Sequence, residues 1–445
     1  SKFSLKGADY FSLQKQKSLK ELSLKTTWRQ HFSAVASIIK TKNSINSVVD
    51  WIQSYKATLP SFLSKLPLAF SVISIALIIS ATFSLISSTI ILYWFFIGLI
   101  ITGFFIKRIQ KIYDKANISK AFFNQYHQLL AQIESEEFTT LFLKNQQNKI
   151  KTKGNKASNI LKEFSKILDA FDQRNNILIA IVRNAFFLSD IKNASNTEKW
   201  IATHKNTVKN WFDTVAFFDA QNSLANFVFN HPKFIFPELN NDKFNIEGTQ
   251  LGHPLLKETK RVDNDFNIAK EEFFIVTGAN MAGKSTFLRT VSLSIVMANC
   301  GLPVCATEFK YSPIKLITSM RTSDSLSEDE SYFYSELKRL KFIVDEIKTE
   351  RYFIILDEIL KGTNSKDKAT GSKKFVEKLT KSKSTGIIAT HDVSLCELSN
   401  EYNQVKNYYF DALIYNNELS FDYKIKQGVC KNMNASFLLQ KMDIV

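Results

Sequence analysis

Glycine and proline are scarce, at 13 and 7 of 445 residues, which excludes a linker-rich or low-complexity chain and favours long helices. The four cysteines (Cys300, Cys305, Cys396, Cys430) contain no Cys-x-x-Cys pair. They read as reduced thiols of a cytosolic compartment, not as a disulfide or zinc framework. Acids are outnumbered: 42 Asp and Glu face 58 Lys and Arg, a net charge of +16. Such an excess suits nucleic acid or an anionic membrane surface and does not choose between them. No internal repeat stands out, and the start carries no signal peptide. The sharpest absence is local: from Leu66 to Ile106, 41 residues, there is no charged side chain.

That run is about twice the ~20 residues needed to cross a bilayer once. Ser84 and Ser87-Ser88-Thr89 near its middle suit a turn. The expectation is a transmembrane hairpin of two helices, near 66–85 and 89–106. Lys65 before it and Lys107, Arg108 and Lys111 after it put both ends on the cytoplasmic side. The competing reading is a pair of buried core helices. Leu19, Leu22, Leu24, Trp28, Phe32, Val35, Ile38 and Ile39 recur at roughly helical spacing, so two or three amphipathic helices are expected before the run. Residues 109 to about 235 read as helical again. Their basic belt, Lys144 to Lys166, reads as a solvated face, with phosphate contact as the alternative. The apolar stretch Ile177 to Val182 is interrupted by Arg183 and is too short to span. Pro232 and Pro237 mark a boundary. Candidate strands at 272–277, 315–319, 352–356, 386–390, 405–412 and 419–425 then alternate with helices. This predicts an α/β domain with a mostly parallel sheet and helices on both faces. The domain limits expected are 1–64, 65–108, 109–240 and 241–445. The chain begins with Ser1, so a fragment or a processed form are both open.

Thr277-Gly278-Ala279-Asn280-Met281-Ala282-Gly283-Lys284-Ser285-Thr286 fits the phosphate-loop pattern, between an apolar strand and an apolar helix. Backbone N–H groups of such a loop, with the helix N-terminus, hold an anion. Lys284 suits the β- and γ-phosphates, and the Ser285 hydroxyl suits Mg2+. Phe353-Ile-Ile-Leu-Asp357-Glu358 is a buried strand delivering two acids at its C-terminal end. Asp357 reads as a metal-side acid and Glu358 as the base for an attacking water. Gly386-Ile-Ile-Ala-Thr-His391 is a further strand ending beside the γ-phosphate position. Ser323 to Glu336 reads, on its residues alone, as a helix capped by Ser327.

Together the loop, Leu356-Asp-Glu-Ile-Leu-Lys-Gly-Thr-Asn and Ala389-Thr-His resemble the ATPase domain of MutS-type DNA mismatch repair proteins, within the ABC-type ATPases. Gly301-Leu-Pro-Val-Cys-Ala resembles another stretch of that domain, and Ser323…Ser331…Glu336 its signature segment. The resemblance covers about 250–445, and more loosely the preceding helical core and lever region. It implies ATP and Mg2+ as ligands and a homodimer with ATP between the subunits. Ser331 would reach the partner's γ-phosphate, Asn280 would sit against the phosphates, and His391 would act as a switch. Asn264-Asp265 match the adenine-side segment, where Arg261 replaces the usual stacking aromatic. Ala279 and Ala282 replace the usual Pro and Gly of the loop, and Asp329 stands at the signature glycine. The mismatch-reading N-terminal domain is absent from this sequence. Phe236-Pro237-Glu238 fits its Phe-x-Glu wedge only as a letter pattern. The expected function is a membrane-anchored ATP hydrolase that moves helical arms, with membrane lipid as one partner and double-stranded DNA as another. The alternatives are a mismatch-repair or other DNA-binding protein, and a membrane adaptor that holds ATP without turnover.

Overall fold

A computed structural model describes residues 5–38, 45–152, 154–240, 244–279, 281–320, 332–360, 364–415 and 418–430. The chain divides into two compact units, one of residues 21–225 and one of residues 1–20 with 226–445.

The helices before the sheets are α1 (Leu5–Leu24), α2 (Thr26–Ser37), α3 (Ile45–Ser54), α4 (Leu66–Thr82), α5 (Ser88–Ser135), α6 (Leu141–Asn148), α7 (Ala157–Asp172), α8 (Ile177–Phe187), α9 (Ser189–His204) and α10 (Val208–Asn230). Helix α5 organises the 21–225 unit. Ile109, Ile112, Ala116, Phe123, Leu130 and Ile133 bury one stripe of it at three- and four-residue spacing. Against that stripe Phe164 of α7 stacks on Trp200 of α9 at 3.9 Å, with Phe123 edge-on to Phe164 at 4.8 Å.

The charge-free run forms a helical hairpin, but its second helix does not stop near 106 as expected. It continues to Ser135 as one 48-residue helix, because the apolar stripe resumes in register after Lys107, Arg108 and Lys111. The turn falls at 83–87, with Ser84 in the left-handed region (φ 59°) and Ser87 capping α5 through the Thr89 N–H. Of the apolar 18-residue window of α5, only 11% is buried, whereas a soluble core helix is mostly buried. Leu68, Val72 and Ile79 on α4 and Tyr93, Ile100 and Phe104 on α5 stand exposed.

The other unit carries twelve short strands among the described residues: β1 (Glu238–Leu239), β2 (Asn245–Leu251), β3 (Asn264–Ala269), β4 (Phe273–Gly278), β5 (Glu308–Tyr311), β6 (Lys315–Ser319), β7 (Tyr352–Asp357), β8 (Thr385–Ala389), β9 (Val405–Phe410), β10 (Leu413–Tyr415), β11 (Glu418–Ser420) and β12 (Ile425–Gln427). The longer helices between them are α11 (Lys284–Cys300), α12 (Tyr332–Glu346) and α13 (Ser365–Lys381). The main sheet has the order β12-β9-β4-β8-β7-β6 and is parallel except for β12. Side chains alternate across it. Phe273, Ile275, Ile354, Leu356 and Ile388 pack with Leu340 and Ile343 of α12 and Val376 and Leu379 of α13. Phe274 turns the other way, edge-on to Phe266 of β3, which in turn meets Phe287 of α11.

Two expectations are corrected. A second sheet, order β1-β5-β2-β3, was not foreseen. The segment 419–425 is not one strand: up to Ser420 it belongs to β11, which pairs with β10 in a separate two-stranded sheet, and from Ile425 it belongs to β12 at the edge of the main sheet. Asp422 Oδ1 takes the Lys424 N–H, and Tyr423 sits at φ 53°, so the backbone turns there. Phe236-Pro237-Glu238 leads into the second sheet. Glu238 pairs with β5, and the Lys20 ammonium lies 4.5 Å over the Phe236 ring.

Candidate active site

Strand β4 is buried along its whole length between β8 and β9, which fixes where the loop after it begins. Gly278 has φ 145°, and a Cβ there would lie 2.5 Å from the Phe410 carbonyl oxygen. Gly283 has φ 108° and caps the start of α11. Met281 takes φ 67° and is 79% exposed at the loop tip.

Lys284 is buried, and its ammonium donates to the carbonyl oxygens of Gly278 (2.6 Å) and Ala279 (2.7 Å). Burial pushes its pKa down to about 8, against the pull of the Glu358 and Asp357 carboxylates. Asp357, at the end of β7, is 7% exposed, and its Oδ2 is buried with no hydrogen-bond partner. Glu358 follows at φ 54°. Its N–H donates to Ala389 O at 2.9 Å, and Oε1 accepts from the Lys368 ammonium at 3.3 Å. Burial, then the Lys284 charge, hold His391 below the usual imidazole range. It is therefore neutral at pH 7.

A cavity of about 410 Å3 gathers these groups. Ala279, Met281, Ala282, Gly283, Lys284, Ser285 and Thr286 of the loop line it together with Asp357, Glu358 and His391. The parallel order of β4, β8 and β7 delivers all three C-terminal ends to this one edge. Ala389 and Thr390 of the Ala389-Thr-His motif line it too, as do Arg289 and Tyr423, which the sequence reading does not single out. Arg289 follows the loop by one helical turn, a spacing that could have flagged it. Tyr423 comes from the segment read as strand, so no signal pointed to it.

A second cavity of about 260 Å3 shares Gly283, Thr286 and Tyr423 with the first. Leu251, His253, Val262, Phe287 and Phe410 make its walls largely apolar, a surface suited to a flat base. Arg261 lines it, but its guanidinium is forked onto Asp263 at 2.6 and 3.1 Å. Asn264 also lines this cavity, and its side chain acts as a backbone clamp. Its carboxamide donates to Tyr423 O at 3.0 Å and accepts from the Ile425 N–H at 2.8 Å. Asp265 takes the Gln250 N–H at 2.8 Å.

Asn280, Ser331, Ser327, Asp329, Gly362 and Thr363 lie outside the described residues. Asn364 is the cap of α13 through the Asp367 N–H. Glu336, at the end of the signature resemblance, accepts from the Leu360 N–H at 2.7 Å and so ties α12 to the segment after Glu358.

Residues 274–440 match the family MutS domain V. The DNA mismatch repair protein MutS of Finegoldia magna is 30% identical over 272 residues, which is 59% of this chain and 30% of that protein. The protein of the same name from Persephonella marina is 34% identical over 192 residues, 42% of this chain and 22% of its own length. The DNA mismatch repair protein MSH4 of Arabidopsis thaliana is 31% identical over 200 residues, 43% of this chain and 24% of its own. The chain thus spans less than a third of the length of these curated relatives. The segment that holds the cavity is thus similar to MutS domain V, and up to 59% of the chain is similar to part of a DNA mismatch repair protein MutS.

Proposed function

We propose that this chain is a membrane-anchored MutS-like ATPase that binds and hydrolyses ATP as a homodimer and uses the cycle to move its helical arms. The observation that carries the reading is the convergence of the loop, Asp357, Glu358 and His391 on one cavity. Backbone N–H groups of the loop hold the phosphates, and Lys284 exchanges two carbonyl oxygens for phosphate oxygens. Asp357 Oδ2, buried and unpartnered, fits a cation, and Ser285 lines the same cavity. Ser285 and Asp357 would therefore hold Mg2+, which supplies charge neutralisation on the β- and γ-phosphates. Glu358 takes the proton of the attacking water, and release of Lys368 makes it the stronger base. Neutral His391 donates or accepts a hydrogen bond at the same edge. Ser331 and Asn280 keep the roles the resemblance implies, at the partner's γ-phosphate and the bound phosphates. The base occupies the neighbouring cavity, with Tyr423 and Arg261 at its walls.

The membrane anchor is supported by the charge-free run, the exposure of both hairpin helices, and cations at both ends. It puts the ATP site on the cytoplasmic side. Helix α4, at 17 residues, reaches about 26 Å, close to the ~30 Å of a bilayer core.

The test is phosphate release from purified, detergent-solubilised protein. Wild type turns over ATP; Lys284→Ala loses binding and turnover; Glu358→Gln keeps binding and loses turnover by about 100-fold. Turnover that survives Lys284→Ala would place the chemistry elsewhere. ATP binding with no turnover in wild type favours the adaptor reading instead.

A second reading, a DNA-binding repair factor, is favoured by the +16 charge and by the names of the relatives. A gel shift on paired and mismatched duplexes that weakens steeply with salt supports it.

A further inference from the structure

We infer that α8 (Ile177–Phe187) is a third bilayer-embedded element, one that enters the hydrocarbon without crossing it and carries a lipid contact on its outer face. The inference rests on the membrane reading above and extends it to a segment some seventy residues beyond the charge-free run.

Helix α8 is fastened to the middle of the hairpin. A Cβ on Gly98 of α5 would lie 2.2 Å from the Ala185 carbonyl oxygen, so the two backbones touch where only glycine fits. Ser74 of α4 shares its hydroxyl proton between Phe70 O (2.8 Å) and Phe186 O (2.6 Å) and accepts from Trp94 Nε1 at 2.8 Å. Ser74 and Gly98 both lie near the midpoints of the charge-free parts of their helices. In a spanning hairpin, the C-terminal turn of α8 therefore sits at mid-depth. Close backbone contact at small residues and internally paired hydroxyl and indole groups are what helix packing in lipid requires.

The rest of α8 continues the apolar surface. Ile177, Leu178, Ile179 and Val182 are exposed, Leu178 at 77%. Of the charges at the helix, Arg174 before it pairs with buried Asp190 after it at 3.5 Å, and Arg183, the one charge within α8, is half-buried and also acts on Asp190. Eleven residues make about 16 Å, half of a ~30 Å core, so α8 cannot cross.

Lipid, not a protein face, is the occupant the exposure pattern fits. On α4 the exposed apolar positions 68, 72, 73, 75, 78 and 79 spread over more than half the helix circumference. A protein partner covers one stripe, whereas a solvent of hydrocarbon covers all sides.

The full chain in phospholipid vesicles tests this. On a Cys300→Ser background, whose other cysteines are buried, Leu178→Cys, Ile100→Cys and Leu255→Cys each receive a small fluorophore. All three positions are exposed, so the substitutions leave the packing intact. We expect brominated lipid to quench positions 178 and 100 to within about twofold of each other, with iodide quenching only position 255. Lipid quenching at 100 with iodide quenching at 178 overturns the inference for α8 and leaves the hairpin standing. Iodide quenching at both overturns the membrane reading itself. Protection of 178 from both quenchers means that protein covers α8, and this also overturns the lipid contact.

Discussion

Lys284 is held where an ammonium group is least at ease. Its pKa falls from 10.5 to about 8, a cost of about 3 kcal/mol in the ligand-free state. The unfolded chain keeps this proton up to about 10.5, and the folded chain keeps it only to about 8. Between those values the unfolded state binds more protons, so stability rises with pH. Lys284→Met should flatten that rise, read as the shift in thermal midpoint between pH 8 and pH 10. A bound triphosphate works the other way, since it favours the charged ammonium. ATP affinity should therefore fall as pH climbs from 8 to 10, read by titration calorimetry on the wild type. Gly278 sets a second limit at this scale. An alanine there would collide with the Phe410 carbonyl and force a positive φ on a residue with a Cβ. Gly278→Ala should cost about 1–3 kcal/mol in stability and abolish ATP binding, read by thermal unfolding with and without nucleotide.

Among the elements, what was legible in the sequence follows burial. Strands β4, β7 and β8 are buried on both faces and so are written as unbroken apolar runs, each ending in the residues that line the cavity. The second sheet was not legible. Strand β2 reads Asn-Ile-Glu-Gly-Thr-Gln-Leu, with a glycine, a bulge and only two large apolar residues, and β3 buries an Asn at its first inward position. The start of α5 was legible from its serines, but its length was not. The change from an all-apolar surface to a single stripe at Lys107 looks like an ending, although the backbone does not break. Tyr423 was illegible because the clamp that aims it, Asn264, is 159 residues away. That clamp can be tested. Asn264→Ala frees the 421–425 segment without touching the loop or the acids. KM for ATP should rise about tenfold or more with kcat within a few-fold of wild type. A matched loss of kcat would mean that Asn264 acts on the chemistry itself.

For the whole molecule, two expectations remain to be measured. ATP should raise the dimer fraction of detergent-solubilised protein, read by analytical ultracentrifugation, and Lys284→Ala should abolish the rise. If duplex DNA is a partner, raising salt from 50 to 200 mM should weaken binding by orders of magnitude, since phosphate contacts carry the affinity.

The unbroken course of α5 has a mechanical corollary. Forty-eight residues at 1.5 Å make a shaft of about 72 Å with no hinge of proline along it. Such a shaft cannot absorb a tilt by bending at one place. A pivot of about 5° around its centre sweeps each tip through about 3 Å, so a small push among the packed aromatic rings near Phe123 is felt undiminished at Tyr93.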